Sequence, residues 1–243
     1  MRLNIFETVD ELLQKLAEYF VEAADESIND HGRFTVALSG GSSPEKLYSL
    51  LASDQFNKKV DWKNVYFFLG DERYVPLTDE QSNYKMANRV LFQPLDIEWT
   101  QIFPIDTTHA PEDAAVDYMK EINTHFNGAA PQFDLILLGL GDNSHTASLF
   151  PHTEILHELT ATVRPVFLPD QQVYRISFTA PLINMAHRVV FLVYGKAKAA
   201  AVQTILEGMP DIENFPAQLI QPEDGDLEWF LDKDAAAEIK LTA

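Results

Sequence analysis

Four short runs of this chain are apolar almost from end to end: "FTVAL" (34–38), "VYFFL" (65–69), "FDLILLGL" (133–140) and "RVVFLVY" (188–194). A strand with one face in water alternates polar and apolar residues, so strands that do not alternate must be covered on both faces. Helical patterns lie between them. In "TVDE" (8–11) Thr8 and Glu11 form a capping box, and Leu12, Leu13, Leu16, Phe20 and Ala24 repeat at helical spacing toward a stop near Gly32. Ser43-Pro44 opens a second helix through Leu51, with proline at the favoured first position. "SNYKMANRVLF" (82–92), Pro111 to Phe126, and "KAKAAAVQTILEG" (196–208) closed by Gly208 predict three more. "QIFPI" (101–105), "RPVFL" (164–168) and "YRISF" (174–178) read as further strands, and "GDLEWFLDKDAAAEI" (225–239) as a last edge strand with a short helix. The pattern specifies an α/β fold: a doubly wound, mostly parallel sheet with helices on both faces, Rossmann-like. No repeat, low-complexity tract or Gly/Ser linker divides the chain, so residues 1–243 are expected to form a single domain.

In such sheets ligands sit at the carboxyl ends of the strands, near the point where the strand order reverses. The polar breaks after the strands are therefore the places to look. Charge makes some of them informative. With 37 acidic and 18 basic side chains the net charge is −19, a field that repels nucleic acid, anionic membranes and phosphorylated metabolites alike. A bound phosphate would have to be held by a few local cations. The chain has no cysteine, which excludes disulfides, zinc ribbons and a thiol nucleophile. The start "MRLNIFETVDELLQKLAEYF" lacks the pattern of a signal peptide, and no apolar stretch is long enough to span a bilayer. The expectation is a cytoplasmic protein with no nucleic-acid or membrane partner, compatible with either a monomer or a dimer.

Four stretches carry chemistry. In "LSGGSSPEKLY" (38–48) a strand ends at Ser39, Gly40 and Gly41 follow, and a helix begins at Ser43 before Pro44, with Ser42 as a further hydroxyl donor. Glycines let backbone N–H groups approach a ligand, and a helix N-terminus favours an anion, so this is a cradle for a phosphate. It has neither the Lys-Ser/Thr ending of a nucleotide P-loop nor the dinucleotide spacing. In "FFLGDERYVP" (67–76), Arg73 could grip a phosphate through two parallel hydrogen bonds, while Asp71 could hold sugar hydroxyls or orient the arginine. In "LILLGLGDNSHTASLFP" (135–151), His145 follows the most apolar strand within a few residues and is a natural general base near neutral pH. Last, Arg175 starts one strand while Lys196 and Lys198 open a helix, where a lysine opposes the dipole unless an anion compensates it. "HTEILHE" (152–158) gathers His152, Glu154, His157 and Glu158, but not at a metal-binding spacing, so no metal is expected. Ser148 lies in no G-x-S-x-G and is not expected to be a nucleophile.

Together "LSGGSSP", "GDERYVP", "SNYKMAN", "HTASLFP" and "FPAQLIQP" resemble the 6-phosphogluconolactonases, in order and from Ser39 to Pro222. The resemblance implies hydrolysis of 6-phosphogluconolactone to 6-phosphogluconate in the oxidative pentose phosphate pathway, with no cofactor, no metal and no covalent intermediate. It implies that His145 is the base, that Arg73 and Lys198 bind the phosphate, and that Gly40 to Ser43 line the site. The related glucosamine-6-phosphate deaminases carry a block similar to "HIAFNEP", whose Glu belongs to a proton relay. Here the matching block puts Phe150 at that place, and phenylalanine cannot carry a proton.

One departure stands beside the histidine. The family pattern G-x-G-x-D-G-H reads Gly139-Leu140-Gly141-Asp142-Asn143-Ser144-His145 in this chain. The amide of Asn143, a candidate site residue, can hydrogen-bond an imidazole or a hydroxyl but cannot raise imidazole basicity as a carboxylate does. Asp142, next door, is the candidate to compensate. Ser144 at positive φ would cost on the order of 1 kcal/mol relative to glycine. Two other functions stay open at this point: an amino-sugar-phosphate deaminase/isomerase, and a non-catalytic sugar-phosphate sensor acting through a protein partner. A DNA-binding sensor is disfavoured by the charge and by a domain that begins within the first ten residues.

Overall fold

The computed structural model describes residues 1–240. Seven strands pair in parallel into one sheet: β1 (Arg2–Phe6), β2 (Phe34–Leu38), β3 (Val65–Leu69), β5 (Ile102–Phe103), β6 (Leu135–Leu138), β9 (Arg188–Val193) and β10 (Asp226–Asp232), in the order β1-β10-β9-β6-β2-β3-β5. Neighbouring phenylalanines of β3 show how both faces are covered, because adjacent strand residues point to opposite sides. Phe67 packs on Trp62 and Phe92, and Phe20 of α1 (Val9–His31) packs on Phe34 and Trp62. Phe68 meets Phe103, Phe133 and Tyr118 of α4 (Pro111–His125) on the other side. The mostly parallel α/β sheet expected from the apolar runs is what forms.

Several elements differ from the sequence reading. β10 is interior rather than an edge, because β1 pairs outside it. β1 escapes notice because "RLNIF" is only partly buried and has no apolar run. Residues 233–238, expected as a short helix, are turns. The strands β7 (Val163–Leu168) and β8 (Val173–Phe178) leave the main sheet and join β4 (Asp71–Arg73) in a separate antiparallel sheet, order β4-β8-β7. β7 carries the exposed Arg164 and Phe167 among buried residues, unlike the wholly buried β2 and β6. Residues 71–73, a polar break after an apolar run in the sequence, are thus a strand. "SNYKMANRVLF" divides into α3 (Asn83–Ala87) and a π-helical turn over 88–92. α2 (Ser42–Leu51) begins one residue before Ser43, with Pro44 third. A short α5 (Ala180–Asn184), capped by Thr179, was not anticipated.

Candidate active site

The chain runs outward from β2 through β3 to β5, then returns to lay β6 against the other side of β2. The strand order reverses at β2/β6, and a crevice at such a point opens at the carboxyl ends of both strands. A cleft of about 420 Å³ lies there. Ser39, Gly40, Gly41, Ser42, Ser43, Asp71, Arg73, His145, Arg175 and Lys198 all line it. Asn143 does not line the cleft but contacts His145.

The first wall is the loop after β2. The Ser39 N–H donates to the buried Tyr48 hydroxyl (3.0 Å), which donates in turn to the Ser39 carbonyl (2.9 Å), so α2 clamps the end of its own preceding strand. Gly40 leaves no room for a Cβ, which would overlap the Asn83 side chain, and Gly41 sits at φ 105°. Gly41 caps α2 without a side-chain hydrogen bond, so the first-turn N–H groups remain available at the cleft.

The second wall holds the cations. Arg73 and Arg175 lie directly opposite each other in the antiparallel β4–β8 pair. Like charges in that register repel, and an anion between them removes the penalty. Arg175 Nε is buried with no partner among the described residues. Burial, then Arg73, lowers the Arg175 pKa. Glu72, one residue before Arg73 and therefore facing the other way, fixes β4. Its fully buried carboxylate accepts from the N–H groups of Arg73 (2.7 Å), Asn83 (2.7 Å) and Tyr84 (2.9 Å) and from the Ser82 hydroxyl (3.0 Å). Burial raises the Glu72 pKa against those four bonds, which favour the ionised form. Asp71 accepts from the Ser148 hydroxyl (2.7 Å) and from Asn83 Nδ2 (3.4 Å), so it ties the arginine strand to the histidine loop. Ser148 is thereby a buried donor to a carboxylate.

The third wall is the loop after β6. The Thr146 hydroxyl donates to the Gly139 carbonyl (2.8 Å), the Gly141 N–H to the His145 carbonyl (2.8 Å) and the Ser144 N–H to the Gly141 carbonyl (3.0 Å). Ser144 does take positive φ, 62°. Its carbonyl accepts from the Ala217 N–H (3.1 Å), which anchors the strained turn to the "FPAQLIQP" segment. The His145 ring lies over Gly141, where any Cβ would overlap it, and stacks on Phe150 at 4.0 Å and 19°. Asn143 Oδ1 accepts from His145 Nδ1 and from the His145 backbone N–H (3.4 Å). With its oxygen turned toward the His145 backbone N–H, the Asn143 amide presents an acceptor to Nδ1, an arrangement that suits an Nδ1–H ring with a free Nε2 lone pair. The His145 pKa falls to about 4: burial contributes most, Lys198, Arg175 and Arg73 add to it, and Asp142 opposes it. The ring is neutral at pH 7.

Asp142 does not take over the place of the missing carboxylate. It accepts from Lys198 Nζ at 2.6 Å, and that contact holds its carboxyl below the usual range. In "HTEILHE", His157 pairs with Glu213 (2.9 Å), and no group of three or more His, Asp or Glu among the described residues could hold a metal. Asn83, Phe150, Gln171 and Tyr194 also line the cleft and were not singled out as site residues from the sequence. The conspicuous "SNYKMAN" block was the available signal for Asn83, and "HTASLFP" for Phe150.

Residues 7–229 match the model of the family described as glucosamine-6-phosphate isomerases/6-phosphogluconolactonase. A 6-phosphogluconolactonase of Synechocystis is 42% identical over 219 residues, 88% of each chain, and one of Nostoc is 38% identical over 234 residues, 95% of each. Among solved structures, a 6-phosphogluconolactonase from Trypanosoma cruzi superposes with a TM-score of 0.87 at 30% identity, covering 100% of this chain and 97% of that one.

Proposed function

We propose that this chain, which belongs to the family of glucosamine-6-phosphate isomerases and 6-phosphogluconolactonases, hydrolyses 6-phosphogluconolactone to 6-phosphogluconate with His145 as the base. The observation that carries the mechanism is a histidine whose Nδ1 faces the Asn143 side-chain oxygen, in a cleft lined by three cations. A neutral imidazole with a free Nε2 accepts a proton from water as the water oxygen adds to the C1 carbonyl. The tetrahedral oxyanion then collapses, breaking the bond between C1 and the ring oxygen, and the imidazolium returns its proton to that oxygen. The product carboxylic acid loses its proton to solvent, and no step leaves an atom on the protein.

Arg73, Arg175 and Lys198 hold the phosphate, together with the N–H groups of Gly40 to Ser43 at the uncapped start of α2. Binding a remote phosphate fixes the lactone against His145 and supplies part of the rate gain. It also tunes the base. The three cations lower the His145 pKa in the free protein, and a bound dianion offsets them, so the ring becomes more basic once substrate is in place. Asp71, through Ser148 and Asn83, keeps the arginine wall and the histidine loop in register. Residues 1–240 act as one unit around this cleft, in the cytoplasm, on a soluble phosphosugar; residues 241–243 of the expected domain lie outside the described residues.

Phe150 decides between the two chemistries of the family. It covers the His145 ring where a deaminase block has its relay carboxylate. Purified protein is expected to accelerate loss of 6-phosphogluconolactone without added metal, and to release no ammonia from glucosamine 6-phosphate. Ammonia release at a comparable rate, with lactone loss no faster than in buffer, would reverse the assignment.

A further inference from the structure

Three cations meet at the cleft, yet two of them, Arg73 and Arg175, form no ion pair among the described residues. Lys198 does, and its partner comes from the histidine loop. Asp142 Oδ1 lies 2.6 Å from Lys198 Nζ, with the aspartate side chain 77% exposed and the lysine 26% exposed. Lys198 sits at the N-cap of α6 (Ala199–Glu207), which has no side-chain cap hydrogen bond, so the helix end and the ammonium both favour an anion at this spot. The carboxylate of Asp142 supplies one in the free protein. Its exposure means that leaving Lys198 strands it in water, not in the core.

We propose that Asp142 is an internal stand-in for the substrate phosphate: it holds Lys198 at the cleft in the free protein and is displaced from it when the phosphate binds. This rests on the reading of Lys198 as a phosphate ligand. Asp142 is then a positioning residue with two opposed effects. It keeps a long, flexible lysine from wandering, and it competes with substrate for the same ammonium. The competition sets KM, because it acts on the free protein and ends once the phosphate is seated.

The consequence is a gain on removal. In Asp142→Asn the carboxylate charge is gone while the side-chain size is kept. KM for 6-phosphogluconolactone, and the inhibition constant of inorganic phosphate, are expected to fall about two- to fivefold, the size of effect typical of a partly exposed ion pair, with kcat changed less than about twofold. A charge removed from the rim of an anion site could tighten binding merely by relaxing the field. The double variant separates the two. If the pair is what competes, Asp142→Asn placed on Lys198→Gln gives no further gain, whereas a field effect survives undiminished. The arms also separate this proposal from the reading beneath it. Lys198→Gln alone should weaken inorganic phosphate, and unchanged phosphate inhibition would overturn the ligand role of Lys198. A weakened phosphate in Lys198→Gln, together with an unchanged or higher KM in Asp142→Asn, overturns the stand-in alone. A gain that persists in the double variant overturns it too.

Discussion

Replacing His145 by alanine is expected to lower kcat for 6-phosphogluconolactone by about 10²- to 10⁴-fold, the range that a positioned general base contributes. KM should change far less. In the proposed binding mode the phosphate is held by Arg73, Arg175, Lys198 and the loop after β2, and none of these hydrogen-bonds to the imidazole ring among the described residues. The loss should therefore appear in kcat, as removal of an interaction made to the reacting water in the transition state. His145→Gln is the stricter control. It fills much of the space over Gly141 and against Phe150 but offers no basic nitrogen, so it should be nearly as slow as alanine. The measurement is the initial rate of lactone loss with the buffer rate subtracted. A normal kcat in either variant would remove His145 from the mechanism.

Arg73→Ala should fail in the opposite parameter. Truncating one member of a partly buried charge contact costs about 2–4 kcal/mol, which is about 30- to 10³-fold in kcat/KM. The free protein should not suffer in proportion. Arg73 and Arg175 face each other across β4 and β8, so removing one relieves a like-charge repulsion that only a bound anion offsets. Its hydrogen bond to the Gln81 carbonyl (2.7 Å) is exposed and contributes little. A melting temperature that stays level or rises, beside a collapsed kcat/KM, identifies a residue maintained for its ligand. Arg73→Lys should recover only part of the loss, because an ammonium cannot make the paired bonds of a guanidinium. A kcat/KM within about threefold of wild type in Arg73→Ala would place the phosphate elsewhere.

The parts of this molecule that were legible in the sequence are those where burial dictates pattern. β2, β3, β6 and β9 are apolar because they are covered on both faces, and the Thr8 cap and Gly32 bracket a helix that forms from Val9 to His31, although the Glu11 carboxylate accepts from the Glu7 N–H and so does not close the expected capping box. The loops that end β2 and β6 were legible too, since glycines and a histidine interrupt apolar runs there. What was not legible depends on contacts across the fold. "DER" has no apolar pattern, and only its antiparallel pairing with β8, with the buried Glu72 carboxylate tying it to the start of α3, makes it a strand. β10 was taken for an edge because no periodicity announces β1 beside it. The bond of the Asp142 side chain to Lys198 has no sequence signature at all. The Asn143-Ser144 pair looked like damage to a family pattern. In the fold, the Asn143 side-chain oxygen faces His145 Nδ1, and Ser144 takes the left-handed turn with its carbonyl bonded to the Ala217 N–H.

The central claim is that Asn143 holds His145 as a neutral, Nδ1-protonated imidazole whose Nε2 is free to accept a proton. Nitrogen-15 spectra of the imidazole rings, recorded as a pH titration, read both the tautomer and the pKa, and His145→Ala assigns the signal among the seven histidines. The expected result is an Nδ1–H ring at pH 7 that takes up its second proton only near pH 4, because burial and the adjacent cations oppose the imidazolium. In Asn143→Asp the midpoint should move up, since a carboxylate favours the charged ring. An Nε2–H tautomer at pH 7, or a wild-type midpoint at the ordinary value of about 6.5, would contradict the account.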